Sequence, residues 1–183
     1  DINSRDVRNG FQAMKTEFSK LPGVQHVAVS SRVPGDWKDI TEVYVKTVDK
    51  RNLKADSLRT HFMGFDEDIL DTYKLSMAEG NFFTGSEADS SNVVINATAA
   101  RTMNLKNPVG SMLRLSTGDG EWNARVIGVL EDFNFQSLHQ KISPIIIGFR
   151  NNPVQSIDYF TLKVSGDLNE LIAGATVVHG KFD

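Results

Sequence analysis

Cysteine is absent from the 183-residue sequence. Its absence excludes a disulfide framework, a thiol nucleophile and any cysteine-ligated metal site. The redox compartment stays open, because a chain of this length can bury a core without covalent staples. Long apolar runs are missing too. The longest, Pro144 to Phe149, is strand length, far short of the roughly 18–20 residues that cross a bilayer. Charge of one sign is also lacking: 23 acidic against 20 basic side chains leave a net −3. That balance supplies neither the basic face that nucleic acid requires nor the polybasic cluster of a domain resting on anionic lipid. The start, Asp1-Ile2-Asn3-Ser4-Arg5, carries no Met and no apolar signal region, so an excised piece of a longer protein is expected.

What is present is the material of a folded domain. A hydrophobic share of 40% beside 23% charged residues argues against wholesale disorder. Val7, Phe11, Met14, Phe18 and Leu21 recur at spacings of three and four, which predicts one amphipathic helix. Asn3 or Ser4 caps it and Pro22-Gly23 ends it. Strands are expected over 24–31, 42–48, 58–65, 92–95, 112–116, 122–130, 145–149 and 159–164, from alternation or short apolar runs. Thr117-Gly118-Asp119-Gly120 is a hairpin turn. Asp66 is expected to cap a short helix carrying Ile69, Leu70 and Tyr73, Asn96 to cap a helix over 97–103, and Gln136 to Lys141 to form a helical turn. In the last strand Phe160, Leu162 and Val164 point inward. Asp167 opens a final helix with the stripe Leu168, Leu171, Ile172, Ala175 and Val178. Both end helices should pack on one sheet formed by the strands near Val27, Val43 and Leu162. Helices and strands mix without strict βαβ alternation, which predicts the α+β class.

The candidates for chemistry are few. His26, His61, His139 and His179 lie far apart and lack zinc-ligand spacing. The acidic cluster Asp66-Glu67-Asp68 with Asp71 lacks the glycine and distal glutamate of a calcium loop, and fits helix capping better. Gly118-Asp119-Gly120 is followed by no helix and cannot cradle phosphate. Ser30-Ser31 and Ser90-Ser91 lack a nucleophile-elbow context. No catalytic residue, cofactor or metal ligand is assigned. Three aromatic residues are candidate partner contacts: Trp37 in a polar loop, and Phe133 and Phe135 just past a strand end. Each either folds back onto the core or serves a contact surface, where aromatic residues are enriched.

One segment is distinctive. Arg125 to His139, with Val126-Ile127-Gly128-Val129 and Asp132-Phe133-Asn134-Phe135-Gln136-Ser137-Leu138-His139, continues to Ile142-Ser143-Pro144. It resembles the corresponding stretch of the MacB-like periplasmic core domain of bacterial ABC-transporter permeases, especially the Bacteroidetes versions. The turn Asn107-Pro108-Val109-Gly110, the helix start Asn96 to Ala99, and the segments Leu75 to Phe83 and Leu21 to Val24 match further stretches of that family in order. Asn81 departs from it, standing where an arginine is usual. The resemblance implies a porter-like subdomain built from residues 1–49 and 150–183, with a second α+β subdomain, 55–149, inserted. It implies an extracytoplasmic domain at the periplasmic face of the inner membrane, joined to its own transmembrane helices and served by a separate cytoplasmic ABC ATPase. A homodimer of permease chains and a periplasmic adaptor are the implied partners, and no enzymatic activity of the domain itself is expected. The alternatives are a free-standing periplasmic ligand-binding module and a periplasmic hydrolase with a site assembled in space.

Overall fold

In the computed structural model, residues 10–36, 40–48, 57–118, 120–137 and 139–182 are described. The chain runs α1 (Phe11–Ser19), β1 (Val24–Ser30), β2 (Glu42–Thr47), β3 (Leu58–Phe65), α2 (Ile69–Tyr73) and β4 (Met77–Gly80). A 3₁₀ turn, Glu87–Ser91, leads into β5 (Asn92–Asn96) and α3 (Ala97–Thr102). Then follow β6 (Met112–Thr117), β7 (Gly120–Leu130), β8 (Ile145–Phe149), β9 (Tyr159–Val164) and α4 (Leu168–His179). The class is α+β, as the mixed order of elements predicts.

Strand β2 pairs with β6 on one side and with β3 on the other. The order β2-β6-β7-β5-β8-β3 therefore closes on itself as a barrel. Period-two alternation decides what fills it. Val43 and Val45 point inward with Phe62, Ile95, Leu115 and Ile146, while Tyr44 remains 57% exposed. Ala99 and Ala100 of α3 extend this core. A second core lies against Met63, Phe65, Leu130, Ile145, Ile147 and Phe149, and is covered by Ile69 of α2 and by Phe83. The two cores explain why Ile145-Ile146-Ile147 shows no alternation: β8 is buried on both faces, between parallel β3 and antiparallel β5.

β4 pairs with β7, and β1 and β9 continue the sheet beyond β3 as a further layer. β1 and β9 pair antiparallel, from Val24↔Val164 to Ser30↔Tyr159, and Met14 and Phe18 of α1 bury against Val27 and Val29. Full burial of each such side chain contributes about 1.5–3 kcal/mol. Phe18 meets Phe160 edge-on at 5.3 Å between ring centres. Helix α4 lies beside α1: Leu21 approaches Gly174, and Lys181 reaches Glu17 at 3.3 Å. That crossing order is antiparallel.

Several expectations need correction. Val43 packs in the barrel and not in the layer under the end helices, with β2 paired to β3 and β6. The reason is hydrogen bonding: without β2, both β3 and β6 would present an open edge. On α4 only part of the predicted stripe is inward. Val178 is buried and Ala175 packs on the layer, but Leu168 and Ile172 are 58% and 54% exposed, since among the described residues α4 is covered on one side only. Val164, at the end of β9, is 37% exposed. Gln136 to Lys141 contracts to one hydrogen-bonded turn, Gln140 N–H to Ser137 O at 2.9 Å. Val7 and the proposed cap at Asn3 or Ser4 lie outside the described residues.

Candidate functional site

The loop that begins at Arg32 comes to rest against the segment after β7: the Gly35 N–H donates to the Phe135 carbonyl at 3.0 Å. Two of the sequence-nominated aromatic segments are thus neighbours, although Trp37 itself lies outside the described residues. Phe135 is not at the surface. It is 1% exposed and packs between the rings of His61 and Phe133, each 5.6 Å away. The chain turns back over the outer core after β7, which carries Phe135 inward and leaves Phe133 half-buried. Among the described residues no group of three or more histidine, aspartate or glutamate side chains could hold a metal ion.

The motif residues of the sequence meet one another. Asn96, fully buried, ends β5 and caps α3: its Oδ1 accepts from the Ala99 N–H at 2.9 Å and the Ile145 N–H at 3.1 Å. Its Nδ2 donates to the Ser143 carbonyl at 3.0 Å. Asp132 sits at the same helix start, accepting from the Thr98 N–H and hydroxyl at 2.8 Å each and from Arg101 at 2.7 Å. Burial works against its charge, yet the bonds from Arg101 and Thr98 prevail and hold its carboxyl below the usual range. These residues are structural punctuation around one helix N-terminus.

A second constellation spans the joint between layer and barrel. The β1–β3 pairing consists of one partner pair, Ser30↔Phe65. It is reinforced by Ser31 N–H to Gly64 O at 2.9 Å, Gly64 N–H to Ser31 Oγ at 2.8 Å and Asp66 N–H to Val29 O at 3.1 Å. Lys15 of α1 crosses this joint to Asp66, 2.5 Å away, and to Asp68. The acidic cluster therefore does not cap α2 by side chain. Asp68 occupies the cap position without a side-chain bond to the helix, because Lys15 claims both carboxylates. The signal was present in the sequence: Lys15 falls four residues after Phe11 and three before Phe18, inside the apolar stripe. Burial pushes the Asp66 carboxyl up to about 6, against the pull of Lys15.

Arg150 stands nearby, its guanidinium over the rings of Phe149 at 4.1 Å and Phe11 at 5.3 Å, and paired with Glu67 at 2.9 Å. It borders an open cleft of about 310 Å³ lined by Phe11, Glu87, Asn151, Asn152, Ser156 and Ile157. Asn152 spends its amide on Phe149 O, Gln155 O and the Val154 and Gln155 N–H groups. The cleft is thus walled by a braced loop and by α1.

Comparison with known proteins decides the family. Residues 6–167 match the family described as MacB-like periplasmic core domain. The chain belongs to this family. Solved domains of transporters and permeases share its fold. The periplasmic region of MacB from Actinobacillus actinomycetemcomitans superposes with a TM-score of 0.60 at 18% identity, covering 100% of this chain and 83% of that one. The extracellular domain of the noncanonic ABC-type transporter YknZ from Gram-positive bacteria gives 0.60 at 14% identity, covering 93% and 82%. A permease-protein domain from Porphyromonas gingivalis gives 0.62 at 13% identity, covering 90% and 73%. No curated protein matches the chain. The relatives are transporter domains rather than enzymes, and among the described residues no helix is long and apolar enough to cross a membrane.

Proposed function

We propose that this MacB-like periplasmic core domain is the extracytoplasmic part of an ABC-transporter permease, at the periplasmic face of the inner membrane. It transmits conformational change during export or signalling and performs no chemistry of its own. A cytoplasmic ABC ATPase supplies the energy, permease chains pair as a homodimer, and a periplasmic adaptor or cargo is contacted on the outside. Trp37 and Phe133 are the proposed contact residues; Phe135 supports Phe133 from the core.

The observation that carries this reading is the joint. A closed barrel meets a helix-covered layer at a joint made of one strand-partner pair, a few hydrogen bonds and the packing of Ala28 on the outer core, which suits an element with two arrangements better than a reaction pocket. The test is made on the full-length permease reconstituted in liposomes with its ATPase. Replacing residues 10–182 by a short flexible linker should leave ATP hydrolysis intact and abolish ATP-driven transport or signalling. Unimpaired transport would overturn the proposal. The open cleft beside Arg150 favours a second reading, a ligand-binding module, in which the isolated chain takes up a small molecule there with no dependence on ATP.

A further inference from the structure

Lys15 is only 6% exposed, although the outer side of α1 offers water to any long cation. It reaches Asp66, which is fully buried, and Asp68, which is half-exposed. Asp66 Oδ2 takes the lysine at 2.5 Å, while Asp66 Oδ1 is buried and has no hydrogen-bond partner among the described residues. A pair this deep gains little over an apolar pair of the same volume, because desolvation consumes most of the attraction. Losing either partner, however, leaves an uncompensated charge. The pair is poorly suited as adhesive and well suited to a two-state contact. Its place agrees with that: it ties α1 to the corner between β3 and α2, where β1 and β3 share one partner pair.

We infer that Lys15, Asp66 and Asp68 form a latch that docks α1 and the β1–β9 layer on the barrel corner. The Tyr73 and Thr161 hydroxyls, 3.1 Å apart, and the Lys163 ammonium, which donates to the Asp71 carbonyl at 2.7 Å, also join the layer to α2, so when the latch opens the layer moves about the Ser30–Phe65 pair and these bonds. The charges facing Asp66 fix the response to acid. Lys15 attracts it from α1; Glu67, on the same corner, opposes its ionisation but is itself taken up by Arg150; Asp68 competes for the lysine. Docking removes Asp66 from water and undocking returns it, so the docked state prefers the protonated carboxyl. Acid tightens the latch. Ionisation, as pH rises through about 6, loads the buried position with charge and leaves docking dependent on Lys15. The inference stands on this geometry and does not depend on the transporter reading.

The chain has no cysteine, so spin labels can be placed at Gln12→Cys on α1 and Lys46→Cys on β2, both exposed, and the distance distribution read by pulsed electron resonance. At about pH 7.5 Lys15→Met should add a second distance population that disappears at about pH 5, where Asp66 is protonated. Adding Asp66→Asn to Lys15→Met should restore the single docked population at both pH values. Asp66→Asn alone, which keeps Lys15 on Asp68, should give the docked population irrespective of pH. A single unchanged distance in Lys15→Met at about pH 7.5, or a second population that persists in acid, overturns the latch. Should Lys15→Met fail to fold, Asp66→Asn decides: wild-type protein whose distribution narrows in acid while the variant's does not move supports the latch, and identical behaviour of the two overturns it.

Discussion

Gly80 and Gly128 are Cα partners across the β4–β7 pair, and neither tolerates a side chain. A Cβ on Gly128 would lie 2.3 Å from the Asn81 carbonyl oxygen, and one on Gly80 2.4 Å from the Ile127 carbonyl oxygen; Gly80 also has φ +73°. Two glycines that look like separate motif residues in the sequence are thus one close approach of backbones. Gly128→Ala should destabilise the chain by about 1–3 kcal/mol, the usual cost of overpacking without room to relax. Urea titration measures it. An unchanged midpoint would show that β4 can move away freely.

Asn96→Ala removes a helix cap and two further bonds to the start of β8 in one step. The expected loss is about 2–4 kcal/mol, from a cap worth ~1 and buried backbone groups left unpaired. Asn96→Asp should recover the cap but not the donor to Ser143, and fall between the two. Equal thermal midpoints for wild type and Asn96→Ala would contradict the bonding seen here.

Two carboxylates give acid responses of opposite sign. Asp66 is raised to about 6 from 3.8, so the folded chain holds a proton that the unfolded chain has lost. Its contribution is complete below about pH 4 and declines as pH rises to about 6. Asp132 is depressed, so its contribution is present above about pH 4 and is lost as pH falls through its folded value. Unfolding free energy measured against pH should therefore lose its falling limb between about 4 and 6 in Asp66→Asn. In Asp132→Asn it should lose part of the steep acid limb below about 4. A pH profile of Asp66→Asn that matches the wild type would refute the first assignment.

The aromatic candidates separate in the same assay. Phe135→Ala should cost about 3–5 kcal/mol, as for a buried ring. Trp37→Ala is expected to leave the melting temperature nearly unchanged while impairing the full-length permease. A large drop for Trp37→Ala would make it a packing residue and remove it from the contact surface.

Local order was readable wherever one residue or one period determines it. Asn96 before Ala97 announces a cap, Met14 and Phe18 announce a buried stripe, and Gly118 to Gly120 announces a hairpin. What the sequence hides is pairing over distance. Nothing local to Val43 says that β2 closes the barrel between β3 and β6, since alternation fits either layer. The run at Ile145 shows burial on both faces without naming the neighbours. Asp66 looks like a cap because its partner, Lys15, is remote along the chain, and only the lysine's position within an apolar stripe hints at the pair. The exposed flank of α4 is hidden for a related reason: an apolar period shows which residues could be covered and not whether a neighbour exists to cover them.

The register of β1 on β9 has a mechanical consequence. Val24 and Val164, the strand ends nearest the two ends of the described chain, are partners. Tension applied through α1 and α4 would therefore pull both strands from the same end and peel their hydrogen bonds one after another, a low-force geometry. The barrel, whose strands are all reached beyond Ser30 and before Tyr159, carries no load until that zipper has run its length. The molecule pairs a soft coupling with a stiff body, and the yield point lies in the coupling.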